Sequence, residues 1–247
     1  MRVRRIFHEG PLAAGDRVTL ASAAAEHLCR VLRARAGDRV LLFDGTGGEF
    51  HAEILAGTDT STVLRVLERN TSPTTESPLD ITLLQGVSRG ERMDFVLQKA
   101  TELGVTTIVP VITERCVVRL DGRQAEKRHT HWRAITAAAC EQCGRTILPV
   151  LAPVTTLATL LTRASTGTTR VMLSPDGERP LSEVARNATH IEILIGPEGG
   201  LAPTEQQRAR SAGFIGTSLG PRVLRTETAA LVAVAVVQLV AGDLARC

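Results

Sequence analysis

The sequence predicts an α/β protein in two parts: a small β-barrel carrying one helix, then a parallel sheet covered by helices on both faces. Three observations predict this. Before residue 70, short segments alternate apolar and polar residues, which is the period of half-buried strands. Residues 70–78, NTSPTTESP, are polar, hold two prolines and lack periodicity, so they read as a linker. Beyond them, apolar strand-like runs alternate with helical stretches, as a parallel sheet requires.

In the first part, RVTL (17–20), DRVLLFDGTGGEFHAEIL (38–55) and STVLRVLE (61–68) read as strands. DGTGG makes a hairpin turn, because Gly accepts positive φ there. Gly45 and Gly47 do not open a dinucleotide fingerprint, since position 50 is Phe and no helix follows. AAAEHLCRVLRARAGD (23–38) reads as a helix ended by Gly37, with His27, Arg30 and Arg33 near helical spacing. That basic face is either a solvated surface or one that contacts phosphates.

In the second part, strands are expected at 80–87, 105–112, 170–174, 191–196 and 215–219. Helices are expected near 91–103, 124–143, 180–188, 204–212 and 227–241. The domain limits follow as 1–72 and 78–247. No internal repeat stands out.

Composition narrows the function. The 247 residues are 43% hydrophobic and 22% charged, ordinary for a globular chain with a real core. A net charge of +3 permits an anionic partner without requiring one. Of 29 basic residues only Lys99 and Lys127 are lysines; the other 27 are arginines, whose planar forks suit phosphate. Five Phe, one Trp and no Tyr argue against a surface that stacks single-stranded bases. MRVRRIFHEG is not followed by an apolar segment, and the longest apolar run, Ala229–Val237, is far short of a bilayer span. A soluble, cytoplasmic protein with no membrane partner is expected.

Five cysteines are too few and too odd in number for a disulfide scaffold. Cys140 and Cys143 form a C-x-x-C downstream of His129 and His131. On one helix, His131 and Cys140 face opposite ways, and His129 is about 16 Å from Cys140 along the axis. One zinc cannot reach all four, so packed helical cysteines are expected and no metal.

The chemistry gathers near the end. After the strand IEILI comes Gly196-Pro197-Glu198-Gly199-Gly200, and after TSL comes Gly220-Pro221-Arg222-Val223-Leu224-Arg225-Thr226-Glu227. Ligands of open α/β sheets bind beyond the carboxyl ends of strands. Glycines let backbone approach a ligand, and Pro197 stiffens its turn. No Gly-Lys-Ser/Thr follows, so neither loop is a phosphate-cradling P-loop. Thr226 with Glu227 reads as the start of an apolar helix, Thr226 as its cap. The residues alone define a small-ligand pocket.

QKATELGV (98–105), EQCGR (141–145), IGPEGG (195–200) and LGPRVLRTETA (219–229) occur together and in order. In these four stretches, and over nearly its whole length, the chain resembles the RsmE family. These bacterial enzymes methylate N3 of a uridine in 16S ribosomal RNA. The resemblance implies a SPOUT-type domain with a trefoil knot near 170–240, a PUA-like RNA-binding barrel before it, and a homodimer. It implies S-adenosylmethionine as cofactor. Gly196, Pro197, Glu198 and Gly199 would form one wall of its site. Leu219, Gly220, Arg222, Val223, Leu224 and Thr226 would form the other, with Leu173 beside them.

Uridine N3 must lose a proton before it attacks a methyl group, so a base and a cation for the developing oxyanion are needed. Arg222 and Arg225 are the candidate cations, and Glu198 and Glu141 the candidate bases. The implied partner is 16S rRNA, expected within the 30S subunit. Arg2, Arg4, Arg5, His27, Arg30, Arg33, Arg89, Arg92 and Arg145 would grip it, with steeply salt-dependent affinity. Ser88-Arg89 and Cys116 depart from the family pattern, in which a lysine stands near the former and a serine at the latter. The competing expectations are another SPOUT activity, on a different base or a ribose 2′-hydroxyl, and a non-catalytic RNA-binding assembly protein. A nicotinamide oxidoreductase lacks its fingerprint.

Overall fold

The computed structural model describes all residues except 1–3, 22, 59, 73–74, 119, 121 and 246–247. Arg2, expected to contact RNA, lies outside the described residues. The chain divides into two compact units, residues 1–76 with 137–148, and residues 77–136 with 149–247. The sequence placed the first crossing within the linker. It gave no sign that 137–148 rejoins the first unit.

The first unit contains strands β1 (Arg5–Phe7) and β2 (Arg17–Ala21), then helix α1 (Ala23–Glu26), which runs into a π-helical turn at His27–Val31. Strands β3 (Arg39–Phe43), β4 (Glu49–Gly57) and β5 (Ser61–Arg69) follow. They pair in the order β1-β3-β4-β5-β2, with β1 parallel to β3 and the remaining pairs antiparallel. Alternate residues such as Leu42, Ile54 and Leu64 are fully buried with Ile6 and Leu28. The helix expected over 23–38 is cut short, because Arg33 adopts φ +52° and leaves the helical path. Arg33 therefore does not share a helical face with His27 and Arg30.

The second unit opens with β6 (Asp80–Gly86), α2 (Glu91–Glu102), β7 (Thr107–Ile112) and α3 (Gly122–Cys143), whose residues from 137 onward count with the first unit. It continues with β8 (Val150–Leu151), β9 (Thr155–Thr156), α4 (Leu157–Leu161), β10 (Thr169–Leu173), β11 (Arg179–Pro180) and α5 (Leu181–Val184). The last elements are β12 (His190–Ile195), α6 (Pro203–Ser211), β13 (Ile215–Ser218) and α7 (Thr226–Val240). The sheet is parallel throughout, in the order β11-β13-β10-β12-β6-β7-β8, with β9 also on β7. The helix expected over 180–188 spans only 181–184, and residues 185–188 close a turn by the Ala188 N–H to Ala185 O bond.

Neighbouring residues on each central strand serve opposite layers. Leu83, Ile108, Val171 and Ile193 pack with α2, α5 and α7. Their neighbours Leu84, Val109, Met172 and Leu194 pack with Leu157, Leu160, Ala209 and Phe214. Both faces are covered by packed side chains, which is why the middles of these strands read as apolar runs. No helix among the described residues is long and apolar enough to cross a membrane.

Candidate functional site

A cavity of about 600 Å³ opens at the carboxyl ends of β10, β12 and β13. This is where open parallel sheets bind ligands. Its first wall is the loop after β12, Gly196 to Leu201. Its second is the segment after β13, Leu219, Gly220 and Arg222 to Thr226, and Leu173, Ser174 and Pro175 close the floor. All eleven residues expected to hold the cofactor line this one cavity.

Packing fixes the first wall. A Cβ on Gly86, at the end of β6, would lie 2.5 Å from Pro197 N, so this strand end abuts the loop only because Gly86 has no side chain. Thr226 ties the two walls together: its hydroxyl donates to Gly196 O at 2.6 Å and accepts from Gln85 Nε2 at 3.1 Å. Gln85 is fully buried and also donates to Gly86 O. Thr226 is thus not the cap. Arg225 holds that position in an extended conformation, and Thr226 is the first helical residue.

Charge is arranged around the rim. Glu198 Oε1 accepts from the Arg89 N–H and from an Arg92 guanidinium nitrogen, each at 3.0 Å. Burial would raise the Glu198 pKa, but the hydrogen bonds from the Arg89 and Glu198 backbone and from Arg92 outweigh it and hold the carboxyl below its ordinary range. Such a carboxylate is a poor proton acceptor and a good loop anchor. Arg115, which the sequence did not single out, donates to Gly199 O at 3.0 Å. Arg222 and Arg225 line the cavity, are exposed, and carry no side-chain hydrogen bond or ion pair among the described residues. No ion pair forms between Arg225 and Glu227.

Two polar atoms of the lining are buried without a hydrogen bond, Thr217 Oγ1 and Glu227 Oε2. Buried polar groups in folded proteins nearly always have partners. A glycine cradle with unpaired polar atoms in its lining fits a small ligand of mixed polarity such as S-adenosylmethionine.

Other expected residues lie elsewhere. Glu141 is not part of the cavity. It belongs to the first unit, where its Oε1 accepts from the Phe7 N–H at 2.9 Å. Burial pushes its pKa up, against the Phe7 hydrogen bond and the charges of His27 and Arg5. Arg145, expected at an RNA surface, is 3% exposed and donates Nε to Glu76 at 2.8 Å, so its charge is spent internally. Arg5 is also engaged: it pairs with Glu49, donates to Arg145 O at 2.8 Å and lies over the Phe43 ring. Arg4 pairs with Asp38. Arg30 is exposed beside Glu26, and Arg33 and Arg89 are exposed.

The cysteine and histidine motif separates in the same way. Cys140 is buried in the first unit and its thiol is pushed up to about 12, chiefly by burial. In the second unit, His129 contacts Leu151 O and His131 contacts Asp94.

The fold and the cavity define an RNA methyltransferase: a model of the RNA methyltransferase domain matches residues 75–238, and one of the RNA methyltransferase PUA domain matches residues 20–67. The chain belongs to the ribosomal RNA small subunit methyltransferase E family. It is 32% identical to the member from Buchnera aphidicola (Schizaphis graminum), over 98% of each chain. It is 29% identical to the member from Bacillus subtilis, covering 88% of this chain and 89% of that one. The crystal structure of the Neisseria gonorrhoeae enzyme bound to S-adenosylmethionine superposes with a TM-score of 0.90, at 37% identity over 98% of this chain and 100% of the other. A Legionella pneumophila protein solved with the same cofactor gives 0.92, at 37% identity over 99% and 100%.

Proposed function

We propose that this protein transfers the methyl group of S-adenosylmethionine to N3 of a uridine in 16S ribosomal RNA. The observation that carries the proposal is the cavity at the ends of β10, β12 and β13. It gathers every residue that the family resemblance assigns to the cofactor, and 37%-identical relatives hold that molecule. The Gly196–Gly200 loop and the Leu219–Thr226 segment would hold the cofactor, which supplies an electrophilic methyl group when bound.

The chain's own residues do the rest. Glu198, anchored by Arg89 and Arg92, keeps the first wall in place. Thr226 fixes the distance between the walls. Arg222 and Arg225 line the cavity with forks that have no partner among the described residues, and they would receive the charge that builds on the uracil carbonyl oxygens, or a flanking phosphate. The first unit, with Arg4, His27, Arg30 and Arg33, would hold the RNA through its phosphates. We also assign to this chain the trefoil knot, the homodimer, action on the 30S particle and the cytoplasm, all on the strength of the family. The domain assignment is a PUA-like unit and a SPOUT unit.

The test is mass mapping of nucleosides after incubation with the cofactor and either 30S subunits or naked 16S RNA lacking the modification. N3-methyluridine is expected. Another methylated nucleoside would move the activity elsewhere among RNA methyltransferases, and no transfer despite cofactor binding would favour a non-catalytic role.

A further inference from the structure

We infer that Glu227 is the base that removes the N3 proton, through its Oε2 atom; this rests on the methylation reading above. The cavity is lined by two carboxylates, Glu198 and Glu227. Glu198 already accepts from Arg89 and Arg92 and its affinity for a proton is reduced. Glu141, the other expected base, is committed to the Phe7 N–H and does not line the cavity. Glu227 is what remains. Its Oε2 is buried and has no hydrogen-bond partner among the described residues. Leaving a buried polar oxygen without a partner costs free energy, which a donor on the ligand would recover.

Its mounting is that of a positioned group. Thr226, immediately before it, is fixed by hydrogen bonds to Gly196 O and from Gln85 Nε2. Arg225, immediately before Thr226, has a guanidinium with no partner among the described residues. Glu227 and Arg225 thus line one cavity without neutralising each other, as a base and an oxyanion-stabilising cation must. In the reaction, Glu227 takes the proton from N3 onto Oε2. The N–H electron pair stays on nitrogen and forms the N–CH3 bond while the sulfur–methyl bond breaks and its pair returns to sulfur. The carboxyl group gives up the proton to water that enters the cavity when the methylated RNA leaves.

Glu227→Gln keeps the shape and removes the basicity. Single-turnover methylation of 16S RNA at neutral pH is expected to fall by about 10²–10⁴-fold. Affinities for S-adenosylmethionine and S-adenosylhomocysteine, measured by calorimetry, should each stay within about threefold. The deficit should shrink as pH rises, because uridine that has lost its own proton needs no base. A rate within tenfold of the parent overturns the inference. So does selective loss of S-adenosylmethionine affinity with the homocysteine product unaffected, which would make Glu227 a counter-charge to the sulfonium. A deficit independent of pH also overturns it. Should the Gln variant bind neither molecule, Glu227→Asp keeps a carboxylate, and the base role then requires a smaller deficit with the parent's pH dependence. Failure of the unmodified protein to form N3-methyluridine would defeat the functional reading instead.

Discussion

Glu198 joins the end of one strand to the start of another helix with a single oxygen, which accepts from Arg89 N and Arg92. Its folded pKa is lowered from 4.5, so the sign of its contribution is fixed. The stabilisation is complete above the ordinary Glu range and is lost as pH falls through the lowered folded value. Cofactor affinity should therefore be flat near neutrality and drop in acid. Glu198→Gln should bind the cofactor a few-fold more weakly at pH 7, and its disadvantage should vanish in acid. A ratio of dissociation constants that does not change with pH would refute the anchoring role. Arg225 makes the complementary case, because its exposed side chain has no hydrogen bond or ion pair among the described residues that its loss would disturb. Arg225→Ala should lower turnover by about 10-fold or more with cofactor affinity little changed, measured by single-turnover kinetics beside calorimetry. Equal turnover would remove Arg225 from the chemistry.

At the scale of elements, the strands were legible where both faces are buried. The apolar runs at 80–87 and 191–196 match β6 and β12 to within a residue, because the middle of each strand packs apolar side chains into both layers. Short elements were not legible. Strands β8, β9 and β11 have two residues each, and their pairing is set by β7 and β13 rather than by a local pattern. The two site loops could be read because glycine and proline mark turns wherever they stand. Glu227 was visible only as charge at a helix start, and its unpaired oxygen is a property of packing. Arg115 gave no signal, since its partner is a backbone carbonyl 84 residues away. The joint between loop and helix is the hydroxyl of Thr226, 30 residues from Gly196. Thr226→Val keeps the shape but leaves Gly196 O and the Gln85 amide without their partner, a cost of about 1–3 kcal/mol. Urea unfolding should show that loss, and cofactor affinity should fall with it. Unchanged values in both would mean that the walls are held by packing alone.

At the scale of the whole molecule, the first unit is not contiguous in sequence, and this is what the linker signal at 70–78 concealed. Residues 137–148 return to it, and Glu76 receives them. Its carboxylate accepts from Arg145 Nε at 2.8 Å and from the Thr146 and Ile147 N–H groups at 3.0 Å each. The side chains are only 4% and 14% exposed, so neither charge has water to fall back on. Removing one partner of such a pair strands the other, at a cost of about 3–5 kcal/mol. Glu76→Ala should therefore lower the urea midpoint of the full chain far more than an exposed charge deletion such as Glu183→Ala, whose Arg179 partner stays solvated. A fragment beginning at Ser77 should fare worse. It keeps 137–148 but lacks Glu76 for Arg145, the Phe7 N–H for Glu141, and the Gly45 carbonyl that accepts from Leu148 N. It should unfold at lower urea concentration and bind the hydrophobic dye ANS, because buried surface of that segment is laid open. A fragment as stable as the full chain, with no dye binding, would show that 137–148 needs nothing from the first 76 residues.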